Sequence, residues 1–198
     1  MDGVDLSGSK AHLLKYVRSL RHSHGSNSET EYRMGDFAQE SGEYLSALCN
    51  LRTLKLDDTR LEDMDEGVFR TCFSAFRDTL THLSLDNIVM SFSAFATLIG
   101  YFPNVTTLQL HLFMLEPGGG PVPPLSRPLR GKLQLHVCEV QADSLELFNR
   151  FAQSDLEYEE LVIDHFSTIP GTKFLESALR VSPSTIKLLR FAAELDRM

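Results

Sequence analysis

Residues 80–86 read Leu80-Thr81-His82-Leu83-Ser84-Leu85-Asp86. Leucine, two variable residues, leucine, one variable residue and leucine form a frame whose last two leucines stand two positions apart. That is the period of a strand, so Leu83 and Leu85 face one way and His82, Ser84 and Asp86 the other. The frame returns, with substitutions, at 16–21, 51–57, 105–111, 130–136, 158–164 and 186–191. Its central leucines are Leu20, Leu54, Leu83, Leu108, Leu133, Leu161 and Leu189, spaced by 34, 29, 25, 25, 28 and 28 residues.

A strand frame recurring every ~20–29 residues is the mark of a leucine-rich repeat. Only the first unit is longer. The segments between frames carry helical spacing: Phe37, Ser41, Tyr44, Leu45 and Leu48; then Val68, Phe69, Cys72, Phe73 and Phe76; then Phe92, Phe95, Ala96, Ile99 and Phe102. Pro103 closes the third helix because it lacks the N–H that the next turn needs. Helical faces follow again from Asp143, an N-cap with Glu146 three residues on, and at Phe174, Leu175, Ala178 and Leu179. The fold class predicted is therefore α/β. It is a leucine-rich-repeat solenoid of about seven parallel strands on a concave side with helices on the convex side, one domain over 1–198. Alternating strands and helices also describe a doubly wound sheet. No glycine-rich phosphate loop follows any strand, and one short motif recurs in register, so the solenoid is preferred.

Residues 1–15 are expected to fray, with no helical cap before the first strand. Residues 116–130 hold five of the eight prolines and a run of three glycines. They are predicted to be a loop that replaces a convex helix; an SH3 or WW ligand is the alternative.

The 198 residues are 42% hydrophobic and 23% charged, an ordinary globular balance, with a net charge of -8. That charge opposes a role in neutralising nucleic-acid phosphates, and no nucleic-acid partner is expected. No apolar run approaches the ~20 residues that span a bilayer, so no membrane partner is expected either. Three cysteines, Cys49, Cys72 and Cys138, are an odd count. Cys49 and Cys72 lie in helical segments and read as buried thiols of a reducing compartment, cytoplasm or nucleus.

Function, on this plan, belongs to the outward residues of the strands. The first row is Ser19, Thr53, His82, Thr107, Lys132, Glu160 and Leu188. The second is Arg21, Lys55, Ser84, Gln109, Gln134, Val162 and Arg190. The third is Ser23, Asp57, Asp86, His111, His136, Asp164 and Ala192, with neighbours ~4.8 Å apart. The partner-binding candidates are Lys55, Asp57, His82, Ser84, Asp86, Thr107, Gln109, His111, Lys132, Gln134, His136, Glu160 and Asp164. A face of Thr, Gln, His and Lys offers hydrogen bonds and little apolar area, which suits a protein or peptide. Aspartate and histidine in the third row are also ligand types for zinc; the alternative is a polar strand end whose side chains satisfy one another. No catalytic motif is found, and the phenylalanines at helical spacing read as core and not as a cofactor box, so no cofactor, metal or enzymatic role is predicted.

Four stretches carry a family resemblance: Thr79-Leu80-Thr81-His82-Leu83-Ser84-Leu85-Asp86-Asn87, Tyr101-Phe102-Pro103-Asn104-Val105-Thr106-Thr107-Leu108, Pro123-Pro124-Leu125-Ser126-Arg127-Pro128-Leu129-Arg130-Gly131 and Leu156-Glu157-Tyr158-Glu159-Glu160-Leu161. With them, residues 80–195 resemble the leucine-rich region of fungal F-box proteins. The resemblance implies a substrate receptor of a ubiquitin ligase, whose repeats hold the target. No Leu-Pro-x-Glu-type F-box stands before Tyr16. Docking to the Skp1–cullin ligase core is therefore expected only if an F-box is missing from this sequence. A truncated or decayed paralogue without independent activity is the alternative expectation, and a metal-binding protein using the Asp/His row a further one.

Overall fold

The computed structural model describes residues 11–23, 44–58, 66–111, 114–115, 131–136, 159–166 and 187–193. It shows a mixed α/β chain organised around one seven-stranded parallel sheet. The strands are β1 (Ser19–Ser23), β2 (Thr53–Asp57), β3 (His82–Asp86), β5 (Thr107–His111), β7 (Lys132–His136), β8 (Glu160–Phe166) and β9 (Leu188–Ala193). They lie side by side in chain order. No reversal of strand order occurs among the described strands, so the sheet lacks the switch point of a doubly wound fold. Two short strands, β4 (Val89–Met90) and β6 (Met114–Leu115), pair in parallel as a separate ribbon.

Register follows the leucine frame. Leu20 pairs with Leu54, Leu54 with Leu83, Leu83 with Leu108, Leu108 with Leu133, Leu133 with Leu161 and Leu161 with Leu189. A slip of one residue would turn every leucine to the opposite face, which is why the buried period-two pattern fixes the pairing. Leu54, Leu56, Leu85, Leu108 and Leu133 have no exposed surface, and Leu83 and Leu110 almost none. Burial of each such side chain contributes ~1.5–3 kcal/mol. At the start of the sheet β1 is only half covered, and Leu20 stays partly exposed.

Each strand is entered through the same backbone joint. The carbonyl of Arg18 accepts from the amides of Arg52 and Thr53, that of Arg52 from Thr81 and His82, and that of Thr81 from Thr106 and Thr107. Gly131 occupies the same place before β7. Its φ is +145°, and a Cβ there would lie 2.1 Å from the Thr106 carbonyl oxygen. Only glycine fits that approach. At the strand exits Asp58 and Asn87 take φ of 51°. Their amides donate to the carbonyls of Asp86 and His111 in the next strand. Short polar side chains tolerate this left-handed conformation better than most.

The helices supply the cover. Glu66–Phe73 continues into a 3-10 turn, Ser74–Phe76, and buries Cys72, Phe73 and Phe76. Helix Phe92–Tyr101 is capped by Ser91, whose Oγ accepts from the Ala94 amide at 3.1 Å. It stops one residue before Phe102, which precedes Pro103 and leaves the helical region with φ -104° and ψ 88°. The rings of Phe73, Phe76 and Phe102 meet with centroids 5.7–6.1 Å apart, welding the two helical segments into one core.

Ahead of β1, Ala11–Leu14 forms a helical turn. Two expectations need correction. Cys49 is exposed, whereas Cys72 is buried as predicted. Tyr44 also turns outward, while Leu45 and Leu48 are buried. Helical structure is described only at residues 44–46, and the amides of Ala47 and Leu48 bond three residues back. Tightened turns of this kind rotate successive side chains further than an α-helix does, which throws Tyr44 and Cys49 off the apolar stripe. The loop predicted at 116–130, the helices predicted from Asp143 and at 174–179, and Cys138 lie outside the described residues.

Candidate functional site

Alternation within each strand sets the site. With Leu54 and Leu56 inward, Thr53, Lys55 and Asp57 share the outward face of β2; His82, Ser84 and Asp86 do so on β3, and Thr107, Gln109 and His111 on β5. Parallel register then brings the predicted rows together. Asp57 pairs with Asp86, Asp86 with His111, His111 with His136, and His136 with Asp164. The row ends there. One extra residue in β8 shifts the register between Ile163 and Phe166, so Asp164 does not meet Ala192 as the frame predicted.

On β1 to β5 the second and third rows together form an ion-pair ladder running across the strands. Arg21 Nε donates to Asp57 Oδ2 at 2.5 Å. Lys55 Nζ stands 3.3 Å from Asp57 Oδ1 and 2.8 Å from Asp86 Oδ2. The other oxygen of Asp86 lies 2.5 Å from His111 Nδ1. Cations thus alternate with carboxylates, which removes the repulsion that the neighbouring Asp57 and Asp86 would otherwise suffer. Asp57 is the buried member, 4% exposed.

Partial burial pushes the Asp86 carboxyl upward, but hydrogen bonds from Lys55 and His111 outweigh it, and the group sits below its ordinary range. Lys55 is raised, chiefly by its hydrogen bond to Asp86 and against the opposing effect of burial.

From β3 to β8 the second row is neutral. Gln109 Nε2 donates to Gln134 Oε1 at 3.1 Å, an amide bridge between β5 and β7. His82 Nδ1 is 2.8 Å from Thr81 Oγ1. Ser84, Thr107, Lys132 and Glu160 make no side-chain hydrogen bond or ion pair among the described residues. Val162, placed by the frame on the outward face, is buried at 5% exposure. The side chains of His136 and Asp164 lie outside the described residues, so the candidate list is placed in register on five strands, β2, β3, β5, β7 and β8, but in atomic contact only on part of them.

Sequence reasoning missed two sets of residues. Arg21 was read on the face but left out of the candidates, although its pairing with Asp57 begins the ladder. The second set stands just before the frame: Asn50 donates to the Lys15 carbonyl at 2.8 Å, Thr79 to that of Leu51 at 2.8 Å, and Asn104 to that of Asp78 at 2.7 Å. Each staples its unit to the preceding one, and the recurrence of a short polar residue at that position was the available signal.

Among the described residues no group of three or more His, Cys, Asp or Glu side chains is arranged to hold an ion. Nor is any helix among them long and apolar enough to cross a membrane. Comparison with protein-family models, curated proteins and solved structures finds no match.

Proposed function

We propose that the chain is a leucine-rich-repeat solenoid whose outward strand face is concave and binds a protein or peptide, in the manner of the target-holding region of an F-box ubiquitin-ligase receptor. The supporting observation is the uninterrupted register of the central leucines through seven parallel strands. That register aligns a mainly polar face one strand at a time, with the central leucines of β2, β3, β5 and β7 buried on the other side. A surface of amides, hydroxyls and ion pairs recognises a polypeptide through many modest hydrogen bonds and offers no closed apolar cavity to a small molecule.

The test compares two baits, the wild-type chain and a Thr107→Tyr/Gln109→Tyr variant that fills the middle of the face with neutral bulk. Both must show the same thermal melt. A protein captured by the wild type and lost from the variant supports the role. Identical captured sets exclude this face as the binding surface. Small-angle scattering tests the architecture in parallel, since a curved solenoid has a larger radius of gyration than a compact domain of the same length.

A further inference from the structure

Resting on the binding role proposed above, we infer that the outward face from β1 to β7 receives an acidic polypeptide segment. Its carboxylates are sunk and its cations stand over them. The side chains of Asp57 and Asp86 are 5% and 20% exposed, against 66% for Arg21 and 30% for Lys55. Asp57 is taken up by Arg21 and Lys55, and Asp86 by Lys55 and His111. Arg21 is held to Asp57 through Nε, and its side chain is 66% exposed. Lys132 on β7 has no ion pair among the described residues. Between these cations lie Ser84 and the Gln109–Gln134 bridge, which carry no charge. Each cation on this face is more exposed than the carboxylate it holds.

Dimensions and borders fit an extended segment. From β1 to β7 is four strand steps in the sheet, about 19 Å. An extended chain covers that length in about six residues. The fork of Arg21 matches a carboxylate in two-point geometry, and Lys132 supplies a point charge at the far end. Glu160, in register beside Lys132 on β8, has no ion pair among the described residues and closes the favourable stretch. The net charge of -8 sharpens the inference, because the chain as a whole repels an acidic ligand. Any preference for glutamate therefore reports the local face and not the overall charge.

The test is fluorescence anisotropy with a labelled peptide of alternating glutamate and glycine and its glutamine counterpart. The glutamate peptide should bind more tightly, with affinity falling as salt rises. Arg21→Gln and Lys132→Gln should each weaken it by about three- to fivefold, and Glu160→Gln should strengthen it by a similar factor. The gain in Glu160→Gln cannot arise from misfolding. Equal affinity for the two peptides, or indifference to all three substitutions, overturns the inference. So does a single-stranded oligonucleotide bound as tightly as the glutamate peptide, which would make the face a general anion binder. If the peptides bind alike while the Thr107→Tyr/Gln109→Tyr bait still loses its partner, the acidic preference fails and the binding role stands. If that bait loses nothing, both fail.

Discussion

Lys55 on β2 reaches across to β3 and places its Nζ 2.8 Å from Oδ2 of Asp86. The two groups titrate at opposite ends of the pH scale, and each is shifted so that the pair persists further. Asp86 is lowered, so its contribution to stability is complete above the unfolded carboxyl value of ~3.9 and is lost as pH falls through the folded value. Lys55 is raised, so its contribution is complete below ~10.4 and is lost as pH rises through its folded value. Asp86→Asn should cost ~1–2 kcal/mol at neutral pH, allowing for solvent screening, and the difference from wild type should shrink as pH falls below ~4. Denaturant melts at several pH values check this; a difference that does not change with pH would contradict it.

Gly131 is the one strand entry at which a side chain cannot be placed. Gly131→Ala must either move the Thr106 carbonyl, which accepts the Lys132 amide at 2.8 Å, or abandon its φ of +145°. A loss of ~1–3 kcal/mol is expected, without loss of the fold. Thermal unfolding measures it, and an unchanged or higher melting temperature would show that the joint relaxes.

Core position along the sheet should grade the cost of truncation. Leu83→Ala and Leu108→Ala empty sites closed on both sides by neighbouring strands and should each cost ~2–5 kcal/mol. Leu20→Ala, on the half-covered first strand, should cost less. Equal losses in denaturant melts would argue against the register.

The thiols should separate by reactivity. Cys49 is exposed, whereas burial pushes the Cys72 thiol up to about 11. In the native protein a thiol reagent should modify Cys49 rapidly, and Cys72 only after denaturant is added. Mass spectrometry of the labelled peptides distinguishes them, and prompt native labelling of Cys72 would show that its helical cover opens.

Strand position and register were legible because burial with period two admits one solution, and the frame from Leu51 to Asp57 onward states it repeatedly. The Phe73, Phe76 and Phe102 core was legible from helical spacing for the same reason. Side-chain reach was not. The frame puts Arg21, Lys55, Asp57, Asp86 and His111 on one face, but which carboxylate sinks and which cation lies over it depends on rotamers. The Tyr44 and Cys49 orientations escaped because spacing assumes an α-helical turn, and the chain there tightens. The shift in β8 escaped because an added residue changes pairing without disturbing the leucines before it.

Uniform joints between units carry a consequence for how such a chain changes length. From Leu83 to Leu108 and from Leu108 to Leu133 the interval is the same 25 residues; the Arg52 and Thr81 carbonyls each accept two amides at the entry to the following strand, and the Thr106 carbonyl accepts the Lys132 amide at the same place. Removing one interval joins two equivalent ends, and copying one adds a rung without re-cutting any other. The protein is in this sense modular at the level of its backbone, and the number of rungs is free to vary while the outward sequence of each is altered separately.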